Sequence, residues 1–454
     1  MSGTASLTTT AKLPATSVLR LYDPAARSNS FSLDGFPALK EGKSWKTRLV
    51  EFIELKGALG MTTNQTLFRQ LLETGVLDER LRVFRVEGRA VPEIYQTLYN
   101  EAATEAAEIF SGVHAQWPWE GRVSQEASAL LVDLEPLVRE VRRIAAAMKG
   151  VGSFTKIPNL KAGPQAIRLA VATGEVQPNV TLVFSDRHYL ETAEGYVLGL
   201  KDLAERGGDV SKIHSVNSLF VSRLDRLVDP MIEGAGPLRG QKVPGLPLQL
   251  LKGKVAVAHA KVVYRMFEAV FLEKPFRDPE GLYADPEGQR LLEKIRRTQA
   301  LFGPLRARGA NPQRLLIASS GVKADQPYSP LLYVLPFLGP WSANTMPEGT
   351  FEALSRFVAG LSEERAAVLR TRSLVSEPLP DLPADSPEWD AALLQGGGKL
   401  EPDRVLREVR DLVLRPAGAS LRALCDTLRD KGAESFTADE QATLAAIQTK
   451  LKQV

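Results

Sequence analysis

Eight short runs of apolar and β-branched residues alternate with amphipathic stretches, and this alternation restricts the fold more than any other feature of the chain. The runs lie at 18–22, 57–64, 121–126, 152–158, 179–184, 213–219, 314–318 and 339–344. Between them, 45–56, 65–77, 92–110, 134–148, 164–173, 189–205, 254–271 and 289–301 carry apolar residues at helical spacing. Strands separated by helices pair in parallel through right-handed crossovers. The simplest closure of eight such units is a (β/α)8 barrel. A doubly wound open sheet is the rival, but it carries a glycine-rich phosphate loop after its first strand, and none follows residue 22.

The polar residues interrupting these runs are placed as a barrel requires. Asp23, Asn64, Glu126, Lys156, Asn179 and Thr181 fall on expected strands or at their C-terminal ends, the face on which barrel enzymes build their chemistry. In a packed core each would be costly unless paired. Lys156, inside Gly152-Ser153-Phe154-Thr155-Lys156-Ile157-Pro158, must bury an ammonium or give up its proton. Taken alone, that heptapeptide admits two readings: a lysine in a buried ion pair or snorkelling at a strand end, or an amine able to attack a carbonyl. The company of Glu126, Asn179 and Thr181 favours the second.

Beyond about residue 350 the pattern becomes helical. We expect helices over 351–372, 406–414, 421–428 and 438–452, a Pro- and acid-rich linker over 376–386, and a break at Gly396-Gly397-Gly398. This divides the chain into a mobile tail (1–17), a catalytic barrel (18–350) and a helical extension (351–454), with a mobile insertion at 374–402. A surplus of 57 Lys+Arg over 54 Asp+Glu, with the two signs interleaved, gives no support for nucleic acid as a partner. The single cysteine, Cys425, excludes an intrachain disulfide and fits a reducing compartment, and the four scattered histidines lack zinc-ligand spacing. Neither a signal peptide nor a membrane span is expected, so the reading is a cytoplasmic protein without metal.

Specific motifs recur in order: Thr62-Thr63-Asn64, Val123-Ser124-Gln125-Glu126, Thr155-Lys156-Ile157-Pro158, Asn179-Val180-Thr181-Leu182-Val183-Phe184-Ser185, Ser218-Leu219-Phe220-Val221-Ser222-Arg223 and Asn344-Thr345-Met346-Pro347. With these the chain resembles the transaldolases, ketose-phosphate transferases that work through a lysine Schiff base. The resemblance runs from Gly57 to about Pro347, with an echo in Gly432-Ala433-Glu434-Ser435-Phe436. It implies that Lys156 forms the imine with a donor ketose. Glu126 is then the acid/base, acting through a water that Thr181 helps to hold, and Asn64 and Asn179 bind hydroxyls of the three-carbon unit. Ser218 and Arg223 are the phosphate-binding pair, Phe220 is a further substrate-binding residue, and Ser319 and Lys323 add phosphate contacts.

The resemblance also calls for a first-strand aspartate that takes a hydroxyl proton during C–C cleavage. Asp23 is the candidate, although Asp23-Pro24 equally reads as a plain turn. Lys323 equally reads as a solvated loop lysine. Two glutamines depart from the family pattern: Gln65 stands where proline is usual, and Gln125 where an apolar residue is usual. They motivate an alternative outcome, an aldolase or a transferase for another sugar. A non-catalytic scaffold is a third reading, and the four polar groups Glu126, Lys156, Asn179 and Thr181 argue against it. The expected partners are sugar phosphates, without an additional cofactor, for a monomer or homodimer.

Overall fold

In the computed structural model, which describes residues 13–40, 42–235 and 247–454, eight parallel strands close a barrel in the order β1 to β8. The first half runs β1 (Ser30–Asp34), α1 (Trp45–Glu54), β2 (Gly60–Thr62), α2 (Gln65–Glu73), α3 (Asp78–Glu87), α4 (Val91–Ile109), α5 (Ser111–Gln116), β3 (Arg122–Glu126), α6 (Leu134–Ala147) and β4 (Ser153–Pro158). The second half runs α7 (Gly163–Val171), β5 (Pro178–Val183), α8 (Asp186–Glu205), β6 (Ser215–Phe220), α9 (Ser222–Ala235), α10 (Val255–Leu272), α11 (Pro286–Ala307), β7 (Gln313–Ala318) and β8 (Ala343–Met346). After the barrel come α12 (Glu348–Ala359), α13 (Glu363–Thr371), α14 (Trp389–Gln395), α15 (Pro402–Val409) and α16 (Leu421–Gln453). Closure is direct, with Ser30 opposite Ala343 and Leu33 opposite Met346.

Local chemistry starts the helices where the strands end. Asn64, Ser185, Asp285 and Ser420 accept the backbone N–H of Leu67, His188, Gly288 and Ala423, satisfying donors that a helix leaves open. Prolines in the first turns of α4, α7, α11 and α15 lack the N–H that would otherwise go unpaired there. Inside the barrel the N-terminal end is plugged by a buried ion pair, Arg314 Nη1 to Glu120 Oε1 at 2.9 Å, with Ser30 Oγ donating to Glu120 Oε2 at 2.7 Å. The open end is therefore the C-terminal one.

Several expectations are corrected. The run at 18–22 is not the first strand: Val18–Leu21 is a 3-10 turn whose four residues are all buried. Its apparent alternation came from Arg20, whose guanidinium is also buried and donates to Val358 O at 2.6 Å and Leu361 O at 2.8 Å. The eighth strand begins at Ala343 rather than 339, because residues 339–342 close a turn through Ser342 Oγ to Gly339 O at 2.7 Å. The stretch at 351–372 is two helices, since Ser362 caps a new one by accepting from Arg365 N. The segments at 421–428 and 438–452 belong to one helix of 33 residues, α16.

The segment at 406–414 starts inside α15 and continues as a π-helical turn, Arg410–Leu414. Residues 374–402, expected as an insertion, are packed on α10: Leu374, Leu379, Trp389 and Leu400 are buried. Lys254 Nζ donates to Leu382 O at 2.6 Å, and Lys261 Nζ to Leu374 O and Glu377 O. The tail expected over 1–17 lies, as far as residue 12, outside the described residues, while Ser17 is buried and donates its N–H to Pro14 O.

Candidate active site

Strand periodicity decides which side chains enter the barrel. Asn179 Nδ2 of β5 donates to Ser124 Oγ of β3 at 3.0 Å. Because β3 and β5 are not neighbours, that bond crosses the interior. With a period of two, Glu126 then points inward beside Ser124, and Thr181 beside Asn179. The parallel register sets Glu126 opposite Lys156 and Lys156 opposite Asn179, so the three side chains occupy one level. Gln125 has the opposite parity and faces the helices, where its Nε2 donates to Asn100 Oδ1 of α4 at 2.5 Å.

Lys156 is 5 % exposed, and its Nζ donates to Thr63 O at 3.1 Å and to Glu126 Oε2 at 3.4 Å. Burial pushes the Glu126 carboxyl up to about 7, against the opposing pull of Lys156. The group thus exchanges its proton near neutral pH, as an acid/base must. Two oxygens here have no hydrogen-bond partner among the described residues, Glu126 Oε1 and Thr181 Oγ1. They sit on β3 and β5, the strands on either side of Lys156. Buried polar atoms are seldom left open, so both await a partner such as water or ligand.

Beside Thr181, the pairing of β5 with β6 is irregular. The register with β6 slips between Val180 and Val183, and Leu182 takes a left-handed backbone, φ 60°. Such bulges re-aim side chains and persist only where the surroundings enforce them. Here α16 packs on the bulge: a Cβ added to Gly432 would lie 2.8 Å from Leu182 Cδ2 and 3.6 Å from Arg223 Nη1. Glycine within this helix therefore allows close approach to the mouth. Further along, Glu440 accepts from Ser128 Oγ at 2.8 Å, and Asp439 pairs with Arg69 of α2 at 3.5 Å.

The other expected residues divide. Arg223, in the first turn of α9, is half-buried, with its guanidinium 5.4 Å from the Phe220 ring, which packs on Phe184 at 5.1 Å. No carboxylate pairs with Arg223 among the described residues, and burial lowers its pKa. Ser319 follows β7 in a left-handed conformation, φ 53°, with its Oγ 3.1 Å from Ser222 Oγ. Lys323 is exposed, and its pKa is lowered by desolvation and then by the charges of Arg223 and Arg226. Ser218 instead donates to Asn179 Oδ1 at 2.7 Å, so Asn179 is held from both sides. Asn64 spends its Oδ1 on the cap of α2, leaving its amide nitrogen for a ligand.

Asp23 is not brought to this mouth. It lies before β1, paired with Ser28 in an isolated bridge, and its Oδ1 accepts from Ala25 N at 2.9 Å in a tight turn. The first-strand aspartate is Asp34, the last residue of β1. It accepts from Thr62 Oγ1 at 2.6 Å, and its charge acts on Glu126, Arg223 and Lys323. The run Ser30-Phe31-Ser32-Leu33-Asp34-Gly35 alternates and ends on a turn dipeptide, a signal sufficient to have found it. Among the described residues, no helix is long and apolar enough to cross a membrane.

Comparison with known proteins agrees with this geometry. Residues 43–447 match the model of the transaldolase/fructose-6-phosphate aldolase family. The chain is 33% identical over 308 residues to Transaldolase 2 of Streptomyces coelicolor, covering 67% of this chain and 73% of that protein. It is 34% identical over 308 residues to Transaldolase 1 of Streptomyces avermitilis, covering 67% and 72%. A transaldolase of Mycolicibacterium paratuberculosis is 30% identical over 347 residues, covering 74% and 83%. The chain belongs to the transaldolase/fructose-6-phosphate aldolase family.

Proposed function

We propose that this enzyme moves a dihydroxyacetone unit from a ketose phosphate, sedoheptulose 7-phosphate or fructose 6-phosphate, to an aldose phosphate through an imine on Lys156. The observation that carries the reading is the arrangement inside the barrel: a buried amine, a carboxyl pushed up to about 7 on the same level, and orphan oxygens on Glu126 and Thr181, on the two strands that flank that amine.

The amine attacks the ketose carbonyl, and the carbinolamine loses water as Glu126 supplies the proton. A water held between Glu126 Oε1 and Thr181 Oγ1 relays it, which satisfies both orphan atoms. The resulting iminium accepts the electron pair of the neighbouring C–C bond as Asp34 takes the hydroxyl proton from the departing aldose. An enamine remains on Lys156. Its carbon attacks the acceptor aldehyde, Asp34 returns the proton, and Glu126 directs water at the new iminium to free the amine. Arg223, with Lys323 and Ser319, holds the phosphate. Asn179, fixed by Ser124 and Ser218, presents its amide to the three-carbon unit.

Gln125 faces α4, so the motive for an altered outcome reduces to Gln65, whose Nε2 reaches Ala127 O at 3.5 Å. An aldolase would release free dihydroxyacetone without an acceptor, and a coupled assay with and without an aldose phosphate separates the outcomes. Cys425 is fully buried, which suits a reduced, cytoplasmic enzyme working as a monomer or homodimer. The test of the mechanism is borohydride reduction in the presence of fructose 6-phosphate. Mass spectrometry should find the three-carbon adduct on Lys156, and an unmodified Lys156 at saturating substrate would refute the reading.

A further inference from the structure

Behind the amine and the carboxyl lies a phenol whose single oxygen touches the supports of both. Tyr99, in the middle of α4, is 2 % exposed, and its ring stacks on Phe68 of α2 at a centroid distance of 4.8 Å. Its hydroxyl is 2.7 Å from Thr63 Oγ1. The Thr63 hydroxyl spends its one proton on Ser124 O, at 2.8 Å, so Tyr99 is the donor in that bond. The same phenol oxygen accepts the backbone N–H of Glu126 at 3.4 Å.

The second contact meets a need created by the strand lengths. β2 pairs with β3 only as far as Thr62 opposite Ser124, and β3 continues to Glu126. The Glu126 N–H thus extends past the end of β2, where no strand can accept it. A buried N–H without an acceptor costs roughly 1–3 kcal/mol. Tyr99 fills that place from outside the barrel. Its other bond holds Thr63, whose backbone carbonyl accepts Lys156 Nζ. One oxygen therefore ties down the residue that carries the acid/base and the residue that holds the resting amine.

We propose that Tyr99 is a positioning residue for the Lys156–Glu126 pair, a latch that sets the separation of amine and carboxyl without touching substrate. The inference rests on the imine reading above. When the amine leaves the Thr63 carbonyl to attack, Thr63 stays in place because Tyr99 and Ser124 hold its hydroxyl, so the amine returns to the same acceptor after hydrolysis. Burial raises the Tyr99 pKa, with a further push from Glu126, so the phenol remains a neutral donor throughout.

The experiment compares wild type, Tyr99→Phe and Thr63→Val. Phenylalanine keeps the ring and its stacking while removing the oxygen, and valine removes the latch from its other end without disturbing Tyr99 packing. Both variants should lower kcat by about tenfold, the worth of one buried hydrogen bond, with KM for fructose 6-phosphate little changed. Both should displace the inflection of kcat near pH 7, because the carboxyl that titrates there has shifted relative to Lys156. A fall in thermal stability with kcat and the inflection unmoved overturns the latch and leaves Tyr99 a packing residue. If wild type is trapped on Lys156 by borohydride and both variants match it in kcat and pH profile, the latch alone falls. If wild type itself is not trapped, the imine reading falls and the latch with it.

Discussion

Replacing Glu126 by glutamine tests the electrostatics of the site without changing its shape. In the fold the carboxyl is pushed up from its ordinary 4.5 to about 7, because burial outweighs the attraction of Lys156. A native carboxyl that holds its proton to a higher pH than the unfolded one binds more protons between those two values. Stability therefore falls as pH rises across that window, is fully retained below about 4.5, and levels off above about 7. The rise corresponds to about 3 kcal/mol. Glutamine abolishes the slope. Denaturant titrations at intervals from about pH 5 to 8 should show the variant gaining on wild type by up to about 3 kcal/mol as pH rises. The absolute offset also contains the loss of the Lys156 partner, so the pH-dependent difference is the quantity to read. In parallel, kcat should drop by about 10²- to 10⁴-fold and lose its inflection near 7. A difference in stability that stays flat from pH 5 to 8 would refute the assignment of the titrating carboxyl.

The two first-strand candidates are separable by one pair of variants. Asp34→Asn should lower kcat by about 10²-fold or more through loss of the base for the hydroxyl proton. Asp23→Asn, which alters only a turn before β1, should leave kcat and KM unchanged and cost under about 1 kcal/mol by thermal melting. Arg223→Ala removes a cation that no carboxylate neutralises among the described residues, so kcat/KM for fructose 6-phosphate should fall by about 10- to 100-fold. The same variant assayed with unphosphorylated fructose should match wild type, and an equal loss on both sugars would show that Arg223 does not read the phosphate.

The chemistry of the site was legible where it violated packing rules. A lysine inside a short apolar strand and a glutamate ending another are costly in a core unless paired, and the structure pairs them at 3.4 Å. Residues whose apparent pattern imitated a different element were misread. Val18-Leu19-Arg20-Leu21-Tyr22 alternates on paper, but the Arg20 guanidinium is capped by carbonyls of Val358 and Leu361, more than three hundred positions away. That bond cannot be seen from local spacing, and misplacing the first strand made Asp23 its aspartate, where the structure has Asp34. The helices expected at 421–428 and 438–452 run together through Gly432: propensity counts glycine against a helix interior, whereas here it permits a long helix to rest against Leu182 and Arg223. Tyr99 left no trace in the pattern, because an aromatic at helical spacing reads as core, and only the position of its hydroxyl distinguishes it.

The strand register explains why this constellation needs both regular and irregular backbone. Regular pairing across β3, β4 and β5 brings Glu126, Lys156 and Asn179 to one level. A fourth polar group on the same level would have to come from a strand that does not neighbour β4. Thr181 is two residues beyond Asn179, one level closer to the mouth, and continued regular pairing of β5 would leave it there with the local twist of its neighbours. The slip at Val180–Val183 and the left-handed Leu182 break that regularity at the residue next to Thr181. Strain of this kind costs on the order of 1–3 kcal/mol, and something outside the strand must hold it. Gly432 of α16 lies on Leu182 and beside Arg223. The C-terminal helix thus meets, through one glycine, both the residue next to Thr181 and Arg223, which joins a segment beyond the barrel to the mouth of the site.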